Sequence, residues 1–314
     1  MDKLLHKFRW RIACRFIDDI IIFSDTFEAH VRDLDDVLTV LKESGLTVQL
    51  HKCLVGYHSL KLLRQLVDRL GLTTTEERAE AILKQTYPET LDQLETFLGA
   101  CGYNRHLVPY YTQITSSLQS LKTRSFKGAP RSGRVRKKFA EAFKLPPPTS
   151  AQKKAFDLIK SIIGSRQTMR HPDYDREFYW YIDASRYGYG IALYQEDLES
   201  KETGRLRYKP VMFLSRELKS TKKRYWPTEL EADGLICAMK KLIYIVEGSK
   251  VVAYMDHKAC EAIAKMTSLQ TSSPGRSNLR LANWALLLSQ YWHNLEVKYV
   301  KGIENMMADA LSRL

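Results

Sequence analysis

The spacing of apolar residues predicts a hairpin and then a helix at the start of the chain. Two apolar runs flank Asp18 and Asp19, which predicts a β-hairpin over residues 13–24 with both acids at its turn. The next apolar residues recur every three or four positions, which is the period of one helix face. They are Phe27, Val31, Leu34, Leu38 and Leu41.

The ends of this helix and the segment after it are also marked in the sequence. Asp25 and Glu28 have the spacing of a capping box, and Gly45 is a typical helix end. Apolar and polar residues then alternate over residues 46–50, which predicts a strand. A further apolar stretch covers residues 60–72.

The middle of the chain is expected to be helical and then to become a linker. Thr75 opens one predicted helix, and a second runs from Thr90 to Leu98 with Asp92 and Glu95 spaced as a cap. Residues 122–138 hold eight Lys or Arg and no acid, and three prolines follow at 146–148. A solvated basic loop and a binding groove are both open interpretations of this segment.

Strand and helix patterns alternate through the C-terminal half, which predicts an α/β domain with a mixed sheet. The predicted strands are 178–184, 189–194, 211–215, 251–255 and 296–300. The predicted helices are 151–163, 225–246, one beginning near 258, 277–291 and 304–312.

Composition and charge narrow the class of protein. The chain has 314 residues, enough for more than one core, and its 44% hydrophobic and 27% charged content is that of a globular protein. A formal net charge of +13 suits a polyanionic partner such as nucleic acid, although a basic protein without such a partner stays open. Five scattered cysteines without a CxxC pair argue against a zinc knuckle and favour a reducing compartment. No apolar run is long enough for a membrane span, and no secretory signal is present.

Acidic residues at the ends of predicted elements indicate a metal site. Asp183 and Asp256 each end an apolar strand, where burial of a carboxylate costs free energy unless a cation compensates its charge. Asp309 lies in the first turns of the last predicted helix, where an acid suits the helix dipole. Oxygen ligands without His or Cys are those that Mg²⁺ prefers, and paired divalent ions about 4 Å apart serve phosphodiester chemistry.

The fourth acid comes from the long predicted helix, which offers two candidates. Glu229 and Glu231 point about 200° apart, so only one can face the sheet. Glu231 continues the apolar side of the helix, whereas Glu229 aligns with Asp233 and Lys240 on a polar side. We therefore assign Glu231 to the site.

These residues together resemble the ribonuclease H (RNase H) domain of gypsy-type retroelements, and the upstream part resembles the reverse transcriptase of the same Pol polyprotein. The resemblance covers nearly the whole chain except about 122–149. Its upstream motifs are Phe16–Ser24, Lys52-Cys53, Gly71, Phe97-Leu98-Gly99 and Tyr103-Asn104-Arg105. Its downstream motifs are Asp183-Ala184-Ser185, Gly188-Tyr189-Gly190, Tyr225–Glu231, Asp256-His257-Lys258 and Gly302–Arg313, which includes the specific ending Ala-Asp-Ala-Leu-Ser-Arg.

The resemblance implies a fold, a chemistry and a set of ligands. It implies an RNase H-like five-stranded mixed sheet with flanking helices, preceded by part of a reverse transcriptase palm and a helical thumb. Asp183, Glu231, Asp256 and Asp309 would bind two Mg²⁺ or Mn²⁺ ions and cut the RNA strand of an RNA·DNA hybrid. Asp18 and Asp19 would be catalytic metal ligands of the polymerase site. The implied domains are a partial palm at 1–70, a thumb at 71–121, a basic linker at 122–149 and the RNase H-like domain at 150–314.

The implied partners are nucleic acids. They are an RNA·DNA hybrid and a primer-template, with other Pol or Gag products of the element as further candidates and no membrane. The expected location is intracellular, in a cytoplasmic particle or the nucleus. The oligomeric state is left open. Lys222, Lys223 and Arg224 before the long helix are candidate contacts to the hybrid.

Some features depart from the family. No third palm Asp and no fingers precede Phe16, so we expect a fragment of a longer polymerase that cannot polymerise by itself. The usual Phe-Leu-Gly-His primer grip is replaced by Leu62-Leu63-Arg64-Gln65. No His follows His293, although retroviral RNases H carry one before the last acid. We take His257 as a structural or substrate-side residue rather than a metal ligand.

Two alternatives to a nuclease of this family stay open at this point. A catalytically inactive, nucleic-acid-binding remnant of a degenerate element would explain the missing palm and the altered primer grip. An integrase-like or other nuclease of the same fold superfamily is disfavoured by the thumb motifs and by the Ala-Asp-Ala-Leu-Ser-Arg ending.

Overall fold

The computed structural model contains two compact units, Met1–Leu60 and Lys61–Leu314. The four predicted domain limits stay predictions. The structure describes residues 4–8, 11–130, 133–185, 188–197, 207–218, 221–258, 260, 279–290 and 292–300.

The first unit contains the predicted hairpin and helix. Strands β1 (Ala13–Phe16) and β2 (Asp19–Ile22) pair antiparallel, with Phe16 opposite Asp19. Helix α1 (Phe27–Glu43) follows, and its N-cap is Thr26, whose hydroxyl accepts a hydrogen bond from the Ala29 N–H. The expected Asp25–Glu28 cap was therefore wrong by one residue, because Thr26 supplies the capping oxygen.

The apolar stripe of α1 is only partly covered within this unit. Val37 and Leu41 are buried, but Phe27, Val31 and Leu38 are 70%, 51% and 38% exposed. The helical period was predicted correctly, and the burial of the whole stripe was not. A stripe of this kind needs a complete facing surface, which β1 and β2 supply only in part.

The strand predicted over residues 46–50 was wrong. Residues 46–49 have no regular structure, and a short 3₁₀ helix covers Leu50–Lys52. Leu50 is 79% exposed. Alternating residues form a strand only when a neighbouring strand accepts their backbone hydrogen bonds, and within the described residues this segment pairs with none.

A small three-stranded sheet follows in the apolar stretch 60–72. Its strands are β3 (Ser59–Leu62), β4 (Gln65–Asp68) and β5 (Leu72–Thr74), in that spatial order. Leu63 and Arg64 turn the chain between β3 and β4 with φ of 47° and 62°. Both turn residues of the altered primer-grip motif thus occupy the left-handed region that glycine favours.

Helices form the core of the next part. They are α2 (Glu76–Leu83), α3 (Leu91–Tyr103), α4 (Tyr111–Ser125) and α6 (Ser150–Gly164). All four contribute to one apolar cluster that includes Phe97, Leu118 and Ile159. Helix α6, expected to begin the RNase H-like domain, therefore shares its core with the thumb helices. The α3 cap is Thr90 with Gln93, not Asp92 with Glu95, because the Gln93 side chain accepts a hydrogen bond from the Thr90 N–H.

The segment predicted to be a basic linker holds a further helix, α5 (Gly133–Ala142). Arg136 makes two hydrogen bonds to the carboxylate of Glu95, at 2.7 and 3.1 Å, and its guanidinium lies over the Phe126 ring. Ala140 is buried. The expectation of a solvated basic loop was therefore wrong for this part of the segment. It forms a helix, and Arg136 binds it to Glu95 on α3 and to Phe126 at the end of α4.

The C-terminal part contains the predicted α/β domain. Its spatial strand order is β10-β9-β6-β7-β8. Strand β9 pairs parallel with both β10 and β6, whereas β7 pairs antiparallel with both β6 and β8. The elements are β6 (Phe178–Ala184), β7 (Gly188–Glu196), β8 (Tyr208–Glu217), α7 (Pro227–Val246), β9 (Val251–Met255), α8 (Leu279–Ser289) and β10 (Leu295–Tyr299). Most of the helix expected near 258 and all of 304–312 lie outside the described residues.

Both faces of the central strand β6 are buried, which explains its continuous apolar run. Phe178, Trp180 and Ile182 point to one face and pack with α7. Tyr179 and Tyr181 point to the opposite face, where Tyr rings from neighbouring strands contact them. No described helix is long and apolar enough to cross a membrane.

Candidate active site

Asp183, near the end of β6, and Asp256, directly after the end of β9, lie side by side. The register of the parallel strands β6 and β9 places Ile182 opposite Met255, so the residue that follows each of them is an acid. Neighbouring strands are about 4.8 Å apart. Burial, and then the negative charge of Asp256, raise the pKa of the Asp183 carboxyl. The structure thus brings these two predicted site residues together.

Glu231 reaches the same place from helix α7. Its side chain is almost buried, at 6% exposure. Burial, followed by the charges of Asp256 and Asp183 and a hydrogen bond with Asp256, raises the pKa of Glu231 to about 9. A hydrogen bond from the Ala184 backbone opposes this rise. In the absence of a cation, Glu231 is therefore protonated at neutral pH.

The two other acids on α7 have structural partners. Glu229 accepts a hydrogen bond from the Trp226 N–H at 3.1 Å and so caps the helix. Asp233 was expected on a polar side but is buried at 5% exposure. It accepts hydrogen bonds from the Tyr189 hydroxyl and the Lys222 ammonium. The expectation of a polar side on α7 was therefore wrong, because these partners compensate a carboxylate in the core.

The three clustered carboxylates fit a divalent cation by their chemistry. Their oxygens are the ligands that Mg²⁺ and Mn²⁺ prefer. The buried Oε2 atom of Glu231 has no hydrogen-bond partner among the described residues, and a cation would satisfy it. Within that same part of the chain, no group of three or more Asp, Glu, His or Cys is already arranged to hold a metal. The Glu231–Asp256 hydrogen bond would have to yield first, and Asp309 lies outside the described residues.

Asp18 and Asp19 lie in the first unit at the β1–β2 turn. Both are exposed, and Ile17 before them has a φ of 55°. The Arg15 guanidinium donates a hydrogen bond to the Ile17 carbonyl at 3.1 Å, which fixes the turn. The structure confirms the predicted hairpin and presents two adjacent carboxylates at its tip.

His257 and Lys222 also have protein partners. His257 Nε2 lies 3.3 Å from the Thr228 hydroxyl, which connects the end of β9 to the start of α7. Lys222, a candidate contact to the hybrid, forms an ion pair with Asp233. These contacts give both residues structural roles.

Sequence reasoning missed Tyr110, which lies far upstream of the acids. Burial is the main cause that raises its pKa, followed by the charges of Asp183, Tyr194, Asp256 and Glu231. Its backbone is left-handed, with a φ of 50°. No local pattern marks such a residue, since the contact depends on how α4 docks against the sheet.

Two family models match separate parts of the chain. Residues 1–79 match the reverse transcriptase (RNA-dependent DNA polymerase) model. Residues 173–291 match the RNase H-like domain found in reverse transcriptase. The second match contains β6, β7, β8, α7 and β9 and thus all three clustered acids.

Curated relatives agree with these matches. The chain is 28% identical over 317 residues to the retrovirus-related Pol polyprotein from transposon gypsy of Drosophila melanogaster, covering 100% of this chain and 28% of the relative. It is 28% identical over 307 residues to the transposon Tf2-3 polyprotein of Schizosaccharomyces pombe, covering 96% and 20%. The chain therefore spans less than a third of these relatives.

Among solved structures, the foamy viral protease-reverse transcriptase in complex with RNA/DNA hybrid aligns with a TM-score of 0.70 and 20% identity, over 96% of this chain and 37% of that one. The complex with dsDNA gives 0.68 and 22%, over 96% and 56%. These likenesses confirm the fold, including the palm part, the thumb and the five-stranded sheet. The chain belongs to the reverse transcriptase and RNase H region of retrotransposon Pol polyproteins.

Proposed function

We propose that this chain hydrolyses the RNA strand of RNA·DNA hybrids in a metal-dependent reaction. The observation that carries the proposal is the meeting of Asp183, Glu231 and Asp256 at one end of the sheet, where the buried Oε2 atom of Glu231 has no hydrogen-bond partner among the described residues. Structural carboxylates are normally compensated by the protein itself, as Asp233 is. A cluster that raises the pKa of its own members is instead typical of a functional site.

Asp183, Glu231 and Asp256 would hold Mg²⁺ or Mn²⁺, with Asp309 as a further ligand by family resemblance. Two such ions, when bound, stabilise the attacking and leaving oxygens of a phosphodiester. Glu231 must give up its proton for binding, and the Ala184 N–H favours the resulting carboxylate. The net charge of +13 favours retention of the polyanionic hybrid.

Asp18 and Asp19 belong, in this proposal, to the polymerase site of a longer parent protein. The chain supplies the hairpin with its two carboxylates, within residues 1–79 that match the reverse transcriptase model. We expect no template-directed nucleotide incorporation by the purified chain on a primer-template with Mg²⁺ and all four nucleotides. Primer extension above the level of an Asp18→Asn, Asp19→Asn double variant would contradict this expectation.

Nucleic acid is the proposed partner. Two foamy viral neighbours were solved with dsDNA and with an RNA/DNA hybrid, and the proposed chemistry calls for the hybrid here. Other Pol or Gag products of the element are further proposed partners, and a cytoplasmic particle or the nucleus is the proposed location.

Cleavage of a hybrid with labelled RNA tests the proposal. We expect cutting with Mg²⁺ or Mn²⁺, none with EDTA, and a loss of at least about 100-fold in Asp183→Asn and Glu231→Gln, since both remove a ligand charge. Glu229→Gln is the matched control, because Gln can still accept the Trp226 hydrogen bond. It should retain wild-type activity.

The outcome also separates the two functional interpretations. Tight, salt-dependent hybrid binding without cutting in either metal would refute the nuclease and identify a nucleic-acid-binding remnant. Cutting that survives in Asp183→Asn would show that other residues carry the chemistry.

A further inference from the structure

Tyr110 belongs to the segment before α4, yet it packs on the sheet of the RNase H-like domain. It is 7% exposed and shares an apolar cluster with Tyr181, Ala192 and Phe213. This is the sheet face to which Tyr179 and Tyr181 point, and by strand alternation Asp183 points there as well. Its left-handed backbone costs about 1–2 kcal/mol for a residue with a bulky side chain, so its surroundings must hold it in place.

The ring of Tyr110 lies directly on Gly190. A Cβ atom at position 190 would come within 2.2 Å of the Cδ1 atom of Tyr110. Gly190 is the residue that pairs with Asp183 across β6 and β7, and with Ser215 across β7 and β8. The ring therefore covers Gly190, the cross-strand neighbour of the candidate catalytic residue Asp183.

Hydrogen bonds connect the next residues, Thr112 and Gln113, to the same paired backbone positions of β7 and β8. The Thr112 N–H donates a hydrogen bond to the Ser215 hydroxyl at 2.8 Å. With its amide in the orientation that satisfies both neighbours, Gln113 accepts from the Gly190 N–H at 3.3 Å and donates to the Tyr110 carbonyl at 3.2 Å. The start of one thumb helix thus contacts both β7 and β8, beside the strand that carries Asp183.

We propose that Tyr110 is a positioning residue for Asp183. In this way the segment at the start of α4 would hold a nuclease residue of the RNase H-like domain in place. The proposal rests on the proposed function for the role of Asp183. The aromatic ring, seated on Gly190, holds β6 and β7 in the register that directs Asp183 toward Glu231 and Asp256. Burial is the main cause that raises the pKa of Tyr110, and the further contributions of Asp183, Asp256 and Glu231 agree with a ring that lies near these acids.

Manganese affinity of the full-length chain, measured by electron paramagnetic resonance of free Mn²⁺, tests this role without relying on activity. Tyr110→Asn removes the ring and keeps a residue that tolerates the left-handed backbone. We expect its Mn²⁺ Kd to rise about 10-fold, the lower end of the effect of outer partners of a metal site. Tyr110→Phe keeps the ring and should stay within about twofold of wild type.

The matched control is Tyr111→Leu. Tyr111 is equally buried at 7%, but its hydroxyl donates to the Leu98 carbonyl in the helical core. This variant should lower the melting temperature and leave the Mn²⁺ Kd unchanged. If Tyr110→Asn does not fold, Tyr110→Leu keeps most of the apolar volume, and the same rise in Kd is expected.

Unchanged Mn²⁺ affinity in a folded Tyr110→Asn chain, or an equal loss in Tyr111→Leu, would overturn the positioning role. A wild-type chain that binds Mn²⁺ but cuts no hybrid would instead defeat the proposed function. The Tyr110 comparison would still be decided in that case by the Kd values.

Discussion

Replacement of Glu231 by Gln is expected to stabilise the metal-free chain in a pH-dependent manner. The pKa of Glu231 is 4.5 in an unperturbed state and about 9 in the folded protein. A raised carboxyl pKa means that the folded state binds this proton more tightly than the unfolded state. The resulting stability is fully present below pH 4.5 and is lost as the pH rises toward 9.

The size of the effect follows from the same pKa values. Each pH unit between them costs about 1.4 kcal/mol of unfolding free energy, which amounts to roughly 3 kcal/mol at pH 7. The Gln side chain of the variant cannot ionise and escapes this loss. Relative to wild type, Glu231→Gln should therefore gain about 3 kcal/mol between pH 4.5 and pH 7 in EDTA. Saturating Mg²⁺ should reduce this advantage, because it stabilises the carboxylate only in wild type.

Urea unfolding followed by Trp fluorescence provides the assay, since Trp180 is fully buried on β6, the strand that carries Asp183. The two proteins are compared from pH 4.5 to 9 in EDTA and in MgCl₂. At each pH, the unfolding free energy of wild type is subtracted from that of the variant. The contributions of groups that titrate alike in both proteins then cancel. Parallel stability curves across this range in EDTA would refute the assignment of a buried, protonated Glu231.

Two further tests concern the close packing at Gly71 and the ion pair of Asp233 with Lys222. Gly71→Ala should lower the unfolding free energy by about 3 kcal/mol. Gly71 has a φ of 151°, and a Cβ atom there would lie 1.9 Å from the Met169 carbonyl oxygen. A melting temperature equal to that of wild type would contradict this prediction. Asp233→Asn should cost about 2–4 kcal/mol in urea unfolding, because it leaves the Lys222 charge without its buried partner. Lys222→Met in the same background should recover part of that loss, and no recovery would argue against the pairing.

The sequence predicted the α/β domain well because its signals are local. Phe178–Ala184 is apolar on both faces and is bounded by turns, so the strand could be recognised without knowing its neighbours. The choice of Glu231 over Glu229 needed only the helical period, and the structure directs Glu231 toward Asp183 and Asp256.

The features that sequence reasoning missed depend on contacts between distant segments. Helix α5 is secured by Arg136 against Glu95, and the charge run alone gave no sign of that pairing. Tyr110 meets Gly190 only after α4 docks on the sheet. The strand expected at residues 46–50 failed for the converse reason, since its alternation finds no partner among the described residues.

The hairpin that carries Asp18 and Asp19 has only four residues in each strand, and a two-stranded sheet of this length is marginally stable in water. Its amide protons should therefore exchange with deuterium far sooner than those of β6, which has hydrogen-bonded neighbours on both sides. The two acids proposed for the polymerase site would then lie in a weakly protected sheet, whereas Asp183, proposed for the nuclease site, lies in one of the most protected strands.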